Sequence, residues 1–276
     1  MIHGIALAEA VGGSVEGFAD LMNKKAKELG LENTHYITPH GLDNDDHYTT
    51  AYELAKLANY ALNNKKFKEI VGTKIYTVTV SGRKITVSNG NELLGNFNGV
   101  YGVKTGFTNG ANRCLVTACQ RDGIDVISVV LGADTKNIRT VDSKNILNYV
   151  FQNFQYVDIE SKIKKYFNSW REDNFVEVNK GSNLYADLKL DSIKYLQILV
   201  NKNNIDKIRI KLECEQFLEA PVYENTKVGE ITLKLENEEI LRSNILIDST
   251  INKKTVEEYL YEILENVKKF MLESYI

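Results

Sequence analysis

The stretch Gly99-Val100-Tyr101-Gly102-Val103-Lys104-Thr105-Gly106-Phe107-Thr108 decides how this chain is read. Valine and aromatic residues between glycines suit a strand, and side chains on a strand alternate between faces. Lys104 and Gly106 therefore share one face and Thr105 takes the other, so a site that uses all three must run along the strand's edge. There Lys104 offers a cation and Thr105 a hydroxyl to a carboxylate. Gly106, having no Cβ, lets an extended peptide approach the backbone. The same triplet also reads as an ordinary strand end with a turn glycine, so the neighbouring sequence has to decide.

Downstream, 113–119 and 125–132 are two further apolar strands joined by Gln120-Arg121-Asp122-Gly123. A helix over 136–151 follows, with Ile138, Val141, Ile146, Tyr149 and Val150 expected on its packed side. Upstream, 74–80 and 83–87 alternate around Ser81-Gly82 as a hairpin, and 88–99 is an Asn- and Gly-rich loop. Further upstream the period is helical. One helix over 5–11 ends at Gly12-Gly13. A second is capped by Ser14, carries Val15, Phe18, Leu21, Met22, Ala26 and Leu29, and stops at Gly30. Thr50-Ala51-Tyr52-Glu53 reads as a capping box opening a third, whose apolar face is Leu54, Leu57, Ala58, Ala61 and Leu62; a short helix over 64–70 follows. Helices, then antiparallel strands, then a covering helix is an α+β arrangement.

From about residue 160 short alternating segments appear at 175–178, 184–188, 208–213, 227–236 and 239–246, separated by turn clusters such as Asn179-Lys180-Gly181-Ser182-Asn183. This pattern is a small all-β module. Residues 255–274 form one amphipathic helix with Val256, Tyr259, Leu260, Ile263, Leu264, Val267, Phe270 and Met271 on its apolar side. The expected domains are 1–155, 156–250 and the terminal helix 251–276.

Composition limits function. The 276 residues are 43% hydrophobic and 26% charged, enough to bury a real core. A formal charge of -3 removes the electrostatic argument for nucleic acid. Three cysteines, Cys114, Cys119 and Cys214, are no disulfide framework; Cys114 and Cys119 fall on opposite faces of one strand and read as inert thiols. No apolar run approaches the roughly 18–20 residues of a spanning helix. Residues 1–10 lack a basic opening and meet Glu9 early, so they are no secretory signal. Read literally the chain is cytoplasmic; a second reading is that it begins mid-structure, since the helix over 5–11 has no cap before it.

Four stretches, in order, resemble the low-molecular-mass penicillin-binding proteins that are D-alanyl-D-alanine carboxypeptidases. They are Ile5-Ala6-Leu7-Ala8-Glu9 with Gly13-Ser14-Val15-Glu16-Gly17-Phe18; Met22-Asn23-Lys24-Lys25-Ala26-Lys27-Glu28-Leu29-Gly30; Thr38-Pro39-His40-Gly41-Leu42 with His47-Tyr48-Thr49-Thr50-Ala51-Tyr52-Glu53-Leu54-Ala55; and Gly102-Val103-Lys104-Thr105-Gly106-Phe107-Thr108 running into Arg113-Cys114-Leu115-Val116. The resemblance covers about residues 5–150. The β module and terminal helix are similar, less specifically, to that family's accessory domain and membrane-lying tail. It implies an N-terminally incomplete penicillin-binding/β-lactamase-like transpeptidase domain, then a small β-sandwich. The implied chemistry is hydrolysis of the terminal D-alanyl-D-alanine bond of peptidoglycan stem peptides through an acyl-serine, with no metal or other cofactor. Lys104, Thr105 and Gly106 become the substrate-carboxylate wall. Implied partners are the pentapeptide ending in D-Ala-D-Ala, β-lactams in the complete enzyme, and a membrane surface at the terminal helix. The complete protein would be extracytoplasmic.

The departures are specific. Such enzymes acylate a serine in Ser-x-x-Lys and use a second motif, Ser-x-Asn. Ser161 has Lys164 three residues on, but after the Lys-Thr-Gly strand rather than well before it. The Ser-x-Asn equivalent would fall at or just before Met1, and the nucleophile further upstream. No nucleophile or base is therefore assigned, and the chain alone is expected to be inactive. The alternative is a non-catalytic wall-binding or interaction module on the same scaffold. His35, His40 and His47 with Asp43, Asp45 and Asp46 form a polar cluster without fixed ligand spacing, and no metal is assigned to it. In the terminal helix Glu257, Glu258, Glu262, Glu265 and Glu273 outnumber Lys253, Lys254, Lys268 and Lys269. Anionic headgroups would therefore attract it little, although Tyr261, Phe270 and Tyr275 are interfacial residue types.

Overall fold

The computed structural model describes residues 2–193 and 196–273; Ser274 and Tyr275 of the expected terminal helix lie outside them. The chain divides into two compact units, Met1–Asn153 and Phe154–Ile276.

In the first unit, α1 (Ile2–Gly12) packs on α2 (Val15–Glu28). Ser14 caps α2 by accepting the Gly17 amide at 2.9 Å, and Gly30 ends the turn beyond it at φ +65, a conformation that favours glycine. Next come α3 (Ala51–Leu62), α4 (Lys65–Gly72), the hairpin β1 (Ile75–Val80) and β2 (Arg83–Ser88), then β3 (Val100–Thr108), β4 (Asn112–Arg121), β5 (Ile124–Ala133) and α5 (Lys136–Asn153). The last three strands form one antiparallel sheet in the order β3-β4-β5, so β3 is an end strand. On one face Leu115 and Cys119 of β4 join Leu147 of α5 and Leu93 of the preceding loop in a dry cluster. On the other, Ile127 lines a cavity with Ala55 and Leu62 of α3. The β1–β2 hairpin pairs over six residues on each strand, yet every one of them is exposed.

The face of α5 differs from the expected one. Ile138, Val141, Ile146 and Tyr149 are exposed, and the buried residues are Arg139, Ser143 and Leu147. Apolar residues lie all round this helix, so periodicity could not choose a side; what fixes it is the partner waiting for Arg139, described below.

The second unit opens with β6 (Phe154–Asp158) and α6 (Ile159–Asp173), a helix that the search for alternation passes over. Asp158 caps it, and Ile159, Ile163 and Phe167 at spacings of four enter the core. The short β7 (Glu177–Asn179) and β8 (Leu188–Leu190) follow, then β9 (Gln197–Asn201), a 3-10 turn at Lys202–Lys207, β10 (Ile208–Cys214), β11 (Phe217–Glu219), β12 (Lys227–Leu235) and β13 (Glu238–Ile247). Four strands form a sheet in the order β10-β12-β13-β8; β6 pairs with β9, and β7 with β11 in parallel. Alternation along β12 and β13 sends Ile231, Leu233, Ile245 and Ile247 inward, all fully buried. The final helix α7 (Val256–Glu273) is started by a reciprocal cap: Glu258 accepts the Thr255 amide at 2.7 Å, and Thr255 Oγ1 accepts the Glu258 amide at 3.2 Å. Its apolar residues from Val256 to Met271 are exposed.

Candidate functional site

Lys104, Thr105 and Gly106 stand on β3, paired in register with Val116, Leu115 and Cys114 of β4. Because β3 ends the sheet, no strand among the described residues lies beside its other edge. The start of β3 is bolted down instead. Asn91, buried, donates its Nδ2 to the Gly102 carbonyl at 3.0 Å and accepts the Leu93 amide, while Asn89 donates to the Val71 and Thr73 carbonyls.

The Lys104 side chain is exposed, and its ammonium donates to the Thr105 carbonyl at 2.5 Å. Among the described residues no carboxylate pairs with it. Thr105 is half-buried against the loop: a Cβ added to Gly90 would come within 2.8 Å of its Oγ1, so only glycine fits there without moving the hydroxyl. At Gly106 a Cβ would meet Cys114 Cβ at 3.7 Å, an ordinary contact, so the absence of a side chain there leaves open space and not a tight fit.

Two further attachments hold this strand, and the sequence reading named neither. Just past β3, Asp43 accepts the Gly110 amide at 3.0 Å. Hydrogen bonds from the Thr108 hydroxyl and from the Gly110 and Asn109 amides hold its carboxyl below the ordinary carboxylate range. Across the sheet, Arg139 is 2% exposed and donates to Glu92 Oε2 at 2.5 Å and, weakly, to the carbonyl of Cys114, the register partner of Gly106, at 3.5 Å. Lys136 reaches the other Glu92 oxygen at 3.0 Å. Burial pushes the Glu92 carboxyl up, but Lys136 and Arg139 outweigh it and hold it down. Asp43 stood out in the sequence only as a member of the His/Asp cluster, and Glu92 could have drawn notice as an acid in the loop before the key strand; nothing in their local pattern names their partners.

The serines at Ser-x-x-Lys and Ser-x-Asn spacings among the described residues are each engaged in local structure. Ser161 donates its hydroxyl to Asp158 at 2.8 Å as part of the α6 cap, and Lys164 is paired with Glu160 at 2.6 Å. A second Ser-x-x-Lys spacing, Ser81-Gly82-Arg83-Lys84, was not weighed in the sequence; it lies on the β1–β2 turn, where Ser81 and Gly82 take positive φ and Lys84 pairs back with Thr79. Ser143-Lys144-Asn145 has the Ser-x-Asn spacing, but Ser143 is buried and bonded to the Arg139 carbonyl.

Apart from Asp43, the histidine and aspartate cluster bonds largely within its own loop. His47 Nδ1 accepts the Ile37 amide at 3.1 Å, His40 Nδ1 accepts the Leu42 amide at 3.3 Å, and Asn44 accepts the Asp46 amide at 2.9 Å. Burial, then the neighbouring His35 and His40, push the His47 imidazole below its ordinary range. Among the described residues no three His, Cys, Asp or Glu side chains converge as a metal site. All three cysteines are free, and burial raises the Cys119 thiol to about 11.

An antiparallel sheet flanked by helices, with Lys-Thr-Gly on its open end strand, defines the class of penicillin-recognising serine acyltransferases. Residues 3–135 match the family model of D-alanyl-D-alanine carboxypeptidases, and 172–253 match that of the C-terminal domain of penicillin-binding protein 5. The D-alanyl-D-alanine carboxypeptidase DacF of Bacillus subtilis is 28% identical over 268 residues, covering 96% of this chain and 67% of its own length. DacC of Escherichia coli, also a D-alanyl-D-alanine carboxypeptidase, is 32% identical over 267 residues, covering 96% of this chain and 60% of its own. The solved DacD carboxypeptidase of Francisella tularensis shares the fold with a TM-score of 0.64 at 24% identity, over 91% of this chain and 72% of that one. The chain belongs to the D-alanyl-D-alanine carboxypeptidase family of low-molecular-mass penicillin-binding proteins. It spans from 49% to 67% of the length of such curated relatives.

Proposed function

We propose that the first unit contributes the carboxylate-gripping wall of a serine-type D-alanyl-D-alanine carboxypeptidase acting on peptidoglycan stem peptides. The observation that carries this reading is the Lys104 ammonium, exposed, without an acidic partner among the described residues, on the open edge of β3 beside Gly106. An exposed cation without a carboxylate partner, next to a strand edge, suits the C-terminal carboxylate of an extended peptide: the edge pairs with its backbone, and Lys104 and Thr105 hold the charge. The catalytic serine and its lysine base are assigned to residues outside 1–276. With them the reaction would run through an acyl-serine; without them the chain binds and does not turn over. In the same reading 1–155 is the partial catalytic domain, 156–250 the accessory β domain, and 251–276 the terminal segment whose helix α7 lies on a membrane outside the cytoplasm, although Ile251 still packs in the core of the β domain. The exposed apolar residues along α7 support that last assignment. β-Lactams, which resemble the substrate end, are ligands of the complete enzyme.

Two measurements test it. Labelled penicillin should form no covalent adduct with this chain, and a stable adduct would overturn the missing-nucleophile reading. In NMR titrations, a short peptide ending in D-Ala-D-Ala should shift the amides of Lys104 to Phe107, and its C-terminal amide should not. Equal shifts from both, or none from either, would remove the carboxylate wall.

A further inference from the structure

The second unit holds a cleft of about 550 Å³ lined by four aromatic residues, Trp170, Phe175, Tyr185 and Phe217. Three of the rings are strongly exposed: Phe175 at 64%, Tyr185 at 51% and Phe217 at 68%. So much bare ring surface gathered around one hollow is unusual for a surface that faces only water.

Register explains the gathering. Glu177 pairs with Phe217 across β7 and β11, and with Tyr185 through an isolated bridge on its other side. Register partners share a face of a sheet, so Tyr185, Glu177 and Phe217 form one row, a carboxylate between two rings. Phe175, two residues before Glu177, falls on the same face and meets the Tyr185 ring at 5.3 Å between centroids. Trp170 comes from the end of α6, held by stacking on Phe167 at 6.5 Å.

Charge then selects the occupant. Asp173, Glu177, Glu213 and Glu215 line the cleft, and among the described residues no lysine or arginine does. Lys211 neutralises Glu213 from outside. Glu177 is half-buried, and among the described residues neither a hydrogen bond nor an ion pair reaches its carboxylate. A partly desolvated carboxylate with rings on both sides is poorly served by water and well served by an ammonium, which pairs with the carboxylate while its charge and methylenes lie on the ring faces.

We propose that this cleft binds a lysine side chain presented by a peptide segment of a partner molecule, with Glu177 as its counter-ion and Tyr185 and Phe217 as its walls. The proposal stands apart from the Lys104 edge, and neither depends on the other.

The chain's single tryptophan lines the cleft, so its emission reports occupancy. Titrating the full chain with acetyl-trilysine amide should give a saturable change in Trp170 fluorescence that weakens as salt rises; acetyl-trialanine amide should give none. Glu177→Gln, nearly isosteric, should raise the half-saturation point about tenfold with the circular dichroism unchanged, whereas Glu262→Gln on α7 should not move it. Phe217→Ala should weaken binding as well. No saturable response, an equal response from Glu177→Gln, or a response to diacetylchitobiose in place of trilysine would each overturn the proposal, the last by making the cleft a sugar site.

Discussion

Glu53 is 5% exposed, and its carboxylate is filled by the loop before it: the Asn33 amide at 2.9 and 3.1 Å, the Asn33 side chain at 3.4 Å and the Thr34 hydroxyl at 2.5 Å. Burial pushes this carboxyl up, but those donors outweigh it, so it titrates below the ordinary glutamate range. A carboxyl depressed in the folded state stabilises the fold above its unfolded pKa of about 4.3, and that contribution fades as pH falls through the folded value. Glu53→Gln should therefore lower the urea midpoint near neutrality, and its deficit against the parent should shrink below about pH 4. A deficit that stays constant with pH would assign Glu53 to packing alone. Half of this was legible: Thr50 does cap α3, accepting the Glu53 amide at 3.2 Å, but the side chain that a capping box would return to Thr50 crosses to residues 33 and 34. A motif spanning four residues cannot reveal a competitor twenty positions away. Arg139 is the same case, since nothing local in α5 announces Glu92 of a distant loop.

At the scale of elements, alternation, caps and apolar spacing located the hairpin, all three strands of the β3-β4-β5 sheet and every helix of the first unit, although in α5 they did not choose the buried face. What escaped was α6, together with the short β6, β9 and β11, whose three to five residues are too few to show a period. The hairpin shows that an element can be legible without being supported. β1 and β2 bury none of their residues, and a two-stranded hairpin in water is marginal by itself. Amides of Ile75–Ser88 should exchange with solvent much faster than those of β4, whose Leu115, Thr117, Ala118 and Cys119 are fully buried. Comparable protection in the two would mean that something covers the hairpin in solution.

In the whole molecule, each unit has its own buried cluster: Leu93, Leu115, Cys119 and Leu147 in one, and a larger one around Ile159, Ile163, Ile231, Leu233, Ile245 and Ile247 in the other. Leu233→Ala should cost about 2–5 kcal/mol. The loss should fall on the transition of the second unit, while Leu147→Ala lowers that of the first. A calorimetric trace in which either substitution shifts a single common transition equally would make the two units one cooperative body. Sequence texture placed the change near residue 160, close to the division at Asn153 and Phe154. It could not foresee that a helix, rather than a strand, leads the second core, since the helical stripe of α6 is read only by someone not already counting in twos.

The unpaired side of β3 has a consequence for the protein as a solute. A bare strand margin invites its own kind, and two copies laid side by side would bring ammonium to ammonium wherever residue 104 met its twin. On the proposed reading one positive charge would sort visitors by their ends, holding a chain that finishes in a negative group and repelling a sibling.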